Sequence, residues 1–179
     1  MEQSLKDHNL LKKIKPIDIL ISGINIANWV GTSNNMIKDY YEHIKWIAKI
    51  SKKFPNLKIL IKHHPNYRGD AIEDKILKDC SVERIIKSSD GLNSYHYIMK
   101  SNFIISFGST MILEALSLEK KCFFLDPGNK NSTFFENLGY LDKIRISDYK
   151  KLEDLITIYL IERKPIDKFD NNIFCLSHI

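Results

Sequence analysis

No apolar run in this 179-residue chain approaches the ~18 residues of a membrane span, which excludes a spanning helix and leaves work at a membrane surface open. The first residues are polar and lysine-rich, so no secretory signal is expected. Cysteine is sparse. Cys80, Cys122 and Cys175 are odd in number, far apart and without metal-ligand spacing, which points to reduced thiols in a cytosolic protein and to no metal site. Cys122 opens an apolar run and reads as a small core residue. The lysines are scattered, with no long basic run and no arginine-rich arm, so nucleic acid is not the expected partner. No nucleophile-elbow, Walker or Gly-x-Gly-x-x-Gly string occurs, and no carboxylate pair offers a hydrolytic couple.

What is present is ordinary for a soluble globular chain: 44% hydrophobic residues, 27% charged and a net charge of +5. The positive excess suits an anionic ligand and a plain solvated surface equally. The length allows one domain with a real core. Residues 1–16 read as a leader or linker, 17–162 as the domain and 163–179 as an irregular tail. Short β-branched runs alternate with amphipathic ones. Strands are expected at Ile17–Ile21, Leu57–Ile61, Val82–Ile86, Phe103–Ser106, Cys122–Leu125 and Ile144–Ile146.

Between them the pattern is helical. Ile37, Tyr41, Ile44 and Ala48, widened by Ile47 and Ile50, mark a helix over 35–54. Shorter helices are expected over 70–79, 93–99, 110–118 and 133–138, with a last long one along Leu152, Leu155, Ile156, Tyr159 and Leu160. This order predicts an α/β fold, a Rossmann-like three-layer αβα domain whose parallel sheet has about six strands joined by right-handed crossovers. The loop after the first strand is longer than a tight turn needs. Its Trp29 serves either a ligand or, the favoured role, as a hydrophobic plug.

Two strand ends carry the chemistry. In an open parallel sheet, ligands bind in the crevice outside the carboxyl ends of the strands. Lys62-His63-His64-Pro65 follows one apolar run and Ser106-Phe107-Gly108-Ser109-Thr110 follows another. Gly108 lets an anion approach the backbone, and Ser109 and Thr110 add hydroxyl donors, so the turn reads as a phosphate seat or as a simple helix cap. Neighbouring histidines on an extended chain point opposite ways, so His63 and His64 are poor chelators of one metal; one is expected in the crevice and the other packed. A histidine beside phosphates donates a hydrogen bond and, if protonated, offsets leaving-group charge. Lys62 and Arg68 are candidate assistants. Glu114, one turn on, either takes ribose hydroxyls or is a solvated helix residue, the latter favoured from the residue alone. Tyr95 and His96 read as partly buried beside Met99.

The His64-Pro65 motif after one strand, paired with Ser109-Thr110-Met111-Ile112-Leu113-Glu114-Ala115-Leu116 after a later one, resembles the C-terminal, donor-nucleotide half of GT-B glycosyltransferases. The bacterial capsule and surface-polysaccharide group is the nearest in flavour. The resemblance runs over about 17–162 in element order, and its specific part is the two motifs. It implies that Lys62, His63, His64, Gly108, Ser109 and Thr110 surround the donor phosphates, with His64 the candidate for stabilising the leaving group. It implies that Glu114, Ser88, Ser89 and Asn93 lie near ribose and base. The expected donor is a CMP-, UDP- or GDP-linked sugar, with no metal and no further cofactor. The implied partners are a saccharide or lipid-linked acceptor and a domain or subunit supplying the acceptor half; the expected location is the cytoplasm, with association at the inner face of the membrane left open. A nucleotide-sugar 2-epimerase-like enzyme and a non-enzymatic α/β interaction module are the alternatives.

Overall fold

The structure, a computed structural model, describes residues 9–23, 34–64, 67, 70–85, 92–128 and 144–162. In chain order these form β1 (Ile17–Ser22), α1 (Asn34–Lys53), β2 (Ile59–Lys62), α2 (Ala71–Leu77), β3 (Val82–Ile85) and α3 (Ser94–Met99). Then follow β4 (Ser101–Ser106), α4 (Met111–Ser117), β5 (Lys121–Leu125), β6 (Arg145–Ile146) and α5 (Tyr149–Ile156), with a π-helical turn over Thr157–Ile161. The six strands form one sheet in the order β3-β2-β1-β4-β5-β6, and every pair is parallel. The expected Rossmann-like three-layer α/β architecture is therefore present.

Alternation along each strand divides the core in two, because successive side chains leave opposite faces. Ile19, Ile21, Ile59, Ile61, Phe103, Ile105, Phe123 and Leu125 face α1, α2 and α5, meeting Tyr40, Ile44, Ile47, Leu77, Leu152 and Ile156. Leu20, Leu60, Ile104, Cys122 and Phe124 face α3 and α4, meeting Tyr97, Ile98, Met111, Ile112, Ala115 and Leu116. Central strands buried on both faces read as continuous apolar runs, which is why they stood out in the sequence. Each such fully buried side chain contributes about 1.5–3 kcal/mol.

Several boundaries differ from the sequence reading for local reasons. Leu57 still belongs to a turn, its N–H bonded to the Phe54 carbonyl, so β2 starts at Ile59 and runs on to Lys62. β4 begins at Ser101, two residues early, because Ser101 pairs with Ile17. The buried stripe of α1 centres on Tyr40, Ile44 and Ile47, while Ile37 and Tyr41 lie half-buried at its margin. α5 starts at Tyr149, capped by the Asp148 carboxylate accepting from the Lys151 N–H. Residues 9–12, expected as leader, are helical, and Ile14 is buried against the α3/α4 face. The expected helix over 133–138, the loop carrying Trp29 and the tail 163–179 lie outside the described residues. Among the described residues no helix is long and apolar enough to cross a membrane.

Candidate functional site

The strand order reverses between β1 and β4, and that switch point is where an open α/β sheet binds ligands. The two sequence motifs flank it. Ser22, the last residue of β1, is in register with Lys62 of β2 on one side and Ser106 of β4 on the other. The histidine loop and the Gly-Ser-Thr turn therefore leave the same edge of the sheet, separated by one strand, roughly 10 Å at ~4.8 Å per strand spacing. Gly23 lies between them. A Cβ at Gly23 would stand 3.0 Å from both the Cα and Nδ1 of His63, so the chain after β1 packs closely against the chain after β2.

The two histidines part company. His63 is 1% exposed, with Nε2 at 3.0 Å from the Glu73 Oε1, an ion-pair distance without hydrogen-bond alignment. Its ring lies 5.2 Å from that of Tyr67. Glu73, also fully buried, accepts at Oε2 from the Tyr40 hydroxyl at 3.0 Å, and the Tyr67 hydroxyl stands at 3.1 Å. Tyr67 donates over 2.6 Å to Asp70, which also accepts from Tyr41 at 3.0 Å and caps α2 through the Ile72 and Glu73 N–H groups. Burial, then the nearby carboxylates, push the phenols of Tyr40 and Tyr67 far up; the same two causes push Tyr41 up to about 12. Burial alone would raise the Asp70 carboxyl, but the hydrogen bonds from Tyr67, the Glu73 N–H, Tyr41 and the Ile72 N–H outweigh it and hold Asp70 below its usual value. This cluster anchors the root of the histidine loop to α1 and α2. His64 instead is exposed at the edge.

Lys62 leaves β2 on the opposite face from His63. It is 5% exposed, and its Nζ donates to the His63 carbonyl at 3.0 Å. Burial holds its ammonium below the usual lysine value.

At the other turn, Gly108 has φ 70°, a left-handed conformation that a side chain would strain. Ser106 Oγ accepts from the Ser109 N–H at 3.2 Å, closing the turn on itself. Ser109 Oγ accepts from the Met111 N–H at 3.4 Å, the capping role. Thr110 is exposed and its side chain makes no cap bond. Glu114 is exposed on α4. Asn93 caps α3, its side chain accepting from the His96 N–H at 3.3 Å while the His96 Nδ1 accepts from its backbone at 3.2 Å. Tyr95 is exposed and His96 buried, where partial burial of both was expected. Ser88, Ser89, Pro65 and Arg68 lie outside the described residues. No group of three or more His, Cys, Asp or Glu able to hold a metal occurs among the described residues.

Sequence reasoning missed His43. It is fully buried on α1, its ring 5.5 Å from that of Phe107 in the Gly-Ser-Thr turn, and neither ring nitrogen has a hydrogen-bond partner. Burial lowers it to about 3, so it is a neutral wedge behind that turn. A groove of about 740 Å³, walled by Pro16, Leu57, Val82 and Tyr97 among others, opens at the amino ends of β1–β3. It lies at the far end of the sheet from the switch point.

Comparison with protein-family models and with curated sequences returns no match. Among solved structures, the chain is similar to UDP-GlcNAc 2-epimerase from Neisseria meningitidis bound to UDP-GlcNAc, with a TM-score of 0.61 and 20% identity. The likeness covers 99% of this chain and 45% of that one, so the chain spans less than half of that enzyme's length. At this identity the likeness establishes the fold: a Rossmann-like domain corresponding to part of a GT-B-like architecture.

Proposed function

We propose that the chain is the donor nucleotide-sugar-binding domain of a glycosyltransferase of surface-polysaccharide biosynthesis. The observation that carries this is the placement of His64 and the Gly108-Ser109-Thr110 turn on one edge of the sheet, on either side of β1 at the switch point. An exposed imidazole and the hydroxyls of Ser109 and Thr110 are groups that hold phosphate oxygens. Donors fixed where charge develops lower the barrier to losing a phosphate leaving group. In the transfer, the bond between the anomeric carbon and the phosphate oxygen breaks and its electron pair leaves with the nucleotide. The acceptor hydroxyl forms the new bond and releases its proton to a base of the acceptor half. In this reading Glu114, exposed one turn along α4, takes the ribose hydroxyls.

A second reading is an enzyme that epimerises the sugar of its nucleotide donor. The similar solved structure favours it, since that protein is a UDP-GlcNAc 2-epimerase bound to UDP-GlcNAc. Both readings require a nucleotide at the same edge. Calorimetric titration with CMP, UDP and GDP tests that requirement. Saturable binding of one of them is expected, weakened about tenfold, or ~1.4 kcal/mol, by His64→Ala. If none of the three perturbs the folded chain at about millimolar concentration, near 4 kcal/mol of binding, the site assignment fails. Incubating the bound donor with and without acceptor saccharide then separates transfer from epimerisation.

A further inference from the structure

Beneath the two loops lies a row of polar residues, one from the start of each motif and one, Ser22, from neither. Lys62, Ser22 and Ser106 end three adjacent strands, in register, with Ser22 in the middle. Counting from Leu60, Leu20 and Ile104, all in the α3/α4 core, the two-residue period brings all three onto that same face. Every one of them is buried, with Ser22 1% exposed and Ser106 fully enclosed.

The hydrogen-bond accounts differ along the row. Ser106 is used by its own turn, accepting from the Ser109 N–H. Ser22 Oγ has no partner. Lys62 has three donors and spends one on the His63 carbonyl. Among the described residues no carboxylate pairs with it. A buried ammonium without a counter-charge and a buried hydroxyl without a partner are each costly, and buried polar groups are otherwise nearly always satisfied. On adjacent, in-register strands at the ligand edge, both can be satisfied by one group, an oxyanion. The bond to His63, the residue just past β2, keeps the ammonium at that edge rather than along the strand.

We infer that Lys62 and Ser22, backed by Ser106, form an inner oxyanion seat on the α3/α4 side of the switch point, distinct from the exposed His64. The anion is a phosphoryl group, either the second phosphate of a bound nucleoside diphosphate or a separate phosphate. The inference deepens the nucleotide reading and rests on it only for which of these two it is.

The test uses the full chain, with Lys62→Met and Ser22→Ala, thermal melting, and titration with inorganic phosphate, UMP and UDP. Without anions, Lys62→Met melts at or above the wild type, because an unpaired buried ammonium is exchanged for an apolar chain of similar shape. With anion the order reverses. Phosphate or UDP binds Lys62→Met at least roughly tenfold more weakly, as expected for losing a charged hydrogen bond, and Ser22→Ala about threefold more weakly. Where the wild type prefers UDP to UMP and Lys62→Met does not, the anion is the nucleotide's second phosphate. Where UMP and UDP bind alike and inorganic phosphate adds to the UMP-saturated wild type but not to Lys62→Met, the anion is separate. Wild-type affinity for phosphate and UDP in Lys62→Met overturns the seat, as does a Lys62→Met protein that melts well below wild type without anions or does not fold. UDP binding lost in His64→Ala but intact in Lys62→Met removes the inner seat and leaves the nucleotide reading. Phosphate held through Lys62 with no nucleotide bound does the reverse. If neither phosphate nor any nucleotide binds the wild type, both fall.

Discussion

Lys62 and His63 are consecutive residues at the end of one strand, yet they meet opposite surroundings. On the α1/α2 face, His63 meets a counter-charge, Glu73, in a cluster where Glu73 and Asp70 take three tyrosine hydroxyls and two helix N–H groups, although neither ring nitrogen of His63 makes a hydrogen bond. On the α3/α4 face, Lys62 has a single bond to a backbone carbonyl and stands beside an unpartnered Ser22. A buried group that faces a counter-charge within a tyrosine-carboxylate cluster fixes a conformation, whereas a buried ammonium without one at a ligand edge leaves capacity for something not in the chain. On the reading proposed above, the difference between the two faces separates a structural half of this corner from a binding half.

The sharpest way to break the comparison is to remove the counter-charge. Glu73→Ala leaves His63, Tyr40 and Tyr67 buried with fewer acceptors, and should cost about 3 kcal/mol or more in urea unfolding. Glu73→Gln keeps an acceptor for the tyrosines and should recover part of that loss. Lys62→Met on the other face should not destabilise, so of the two substitutions only Glu73→Ala should lower the midpoint. A neutral Glu73→Ala would mean that the cluster is not what holds the loop.

Next in size is the charge of Asp70. Its folded pKa lies below the unfolded one, so its contribution is present above the unfolded value and is lost as the pH falls through the folded one. Asp70→Asn keeps a capping oxygen but not the charge. The variant should unfold at lower urea than wild type near neutral pH, and the gap should shrink as the pH drops below about 4. Urea midpoints across that range check this, and a gap independent of pH would place the effect in the cap alone.

Much of this was legible in advance, and the misses have physical causes. The sheet could be read because Ile-Leu-Ile and Phe-Ile-Ile-Ser runs buried on both faces are continuous in sequence. That one histidine of the pair packs follows from strand alternation, which needs no partner to be known. Which one packs depends on Glu73, ten residues on in α2, and on Tyr40 from a different helix, neither marked by any local pattern. Ser22 was invisible for a related reason. Its significance lies in the register that puts it between Lys62 and Ser106, and register is a property of the assembled sheet. His43 hid inside an amphipathic stripe, where a histidine at an apolar position looks like any other core residue.

The smallest effect sharpens the comparison most at the other turn. Ser109 and Thr110 are adjacent hydroxyls that differ as His63 and His64 do: Ser109 accepts from the Met111 N–H, while Thr110 is exposed and makes no cap bond. Thr110→Ala should therefore change unfolding free energy by less than about 0.5 kcal/mol, the range of a surface substitution without a structural role. Ser109→Ala removes a cap and should cost about 1 kcal/mol. Any weakening of nucleotide binding by Thr110→Ala then reports contact with the ligand and not damage to the turn. Should Thr110→Ala prove as destabilising as Ser109→Ala, its hydroxyl belongs to the turn, and the phosphate seat would lose one of its donors.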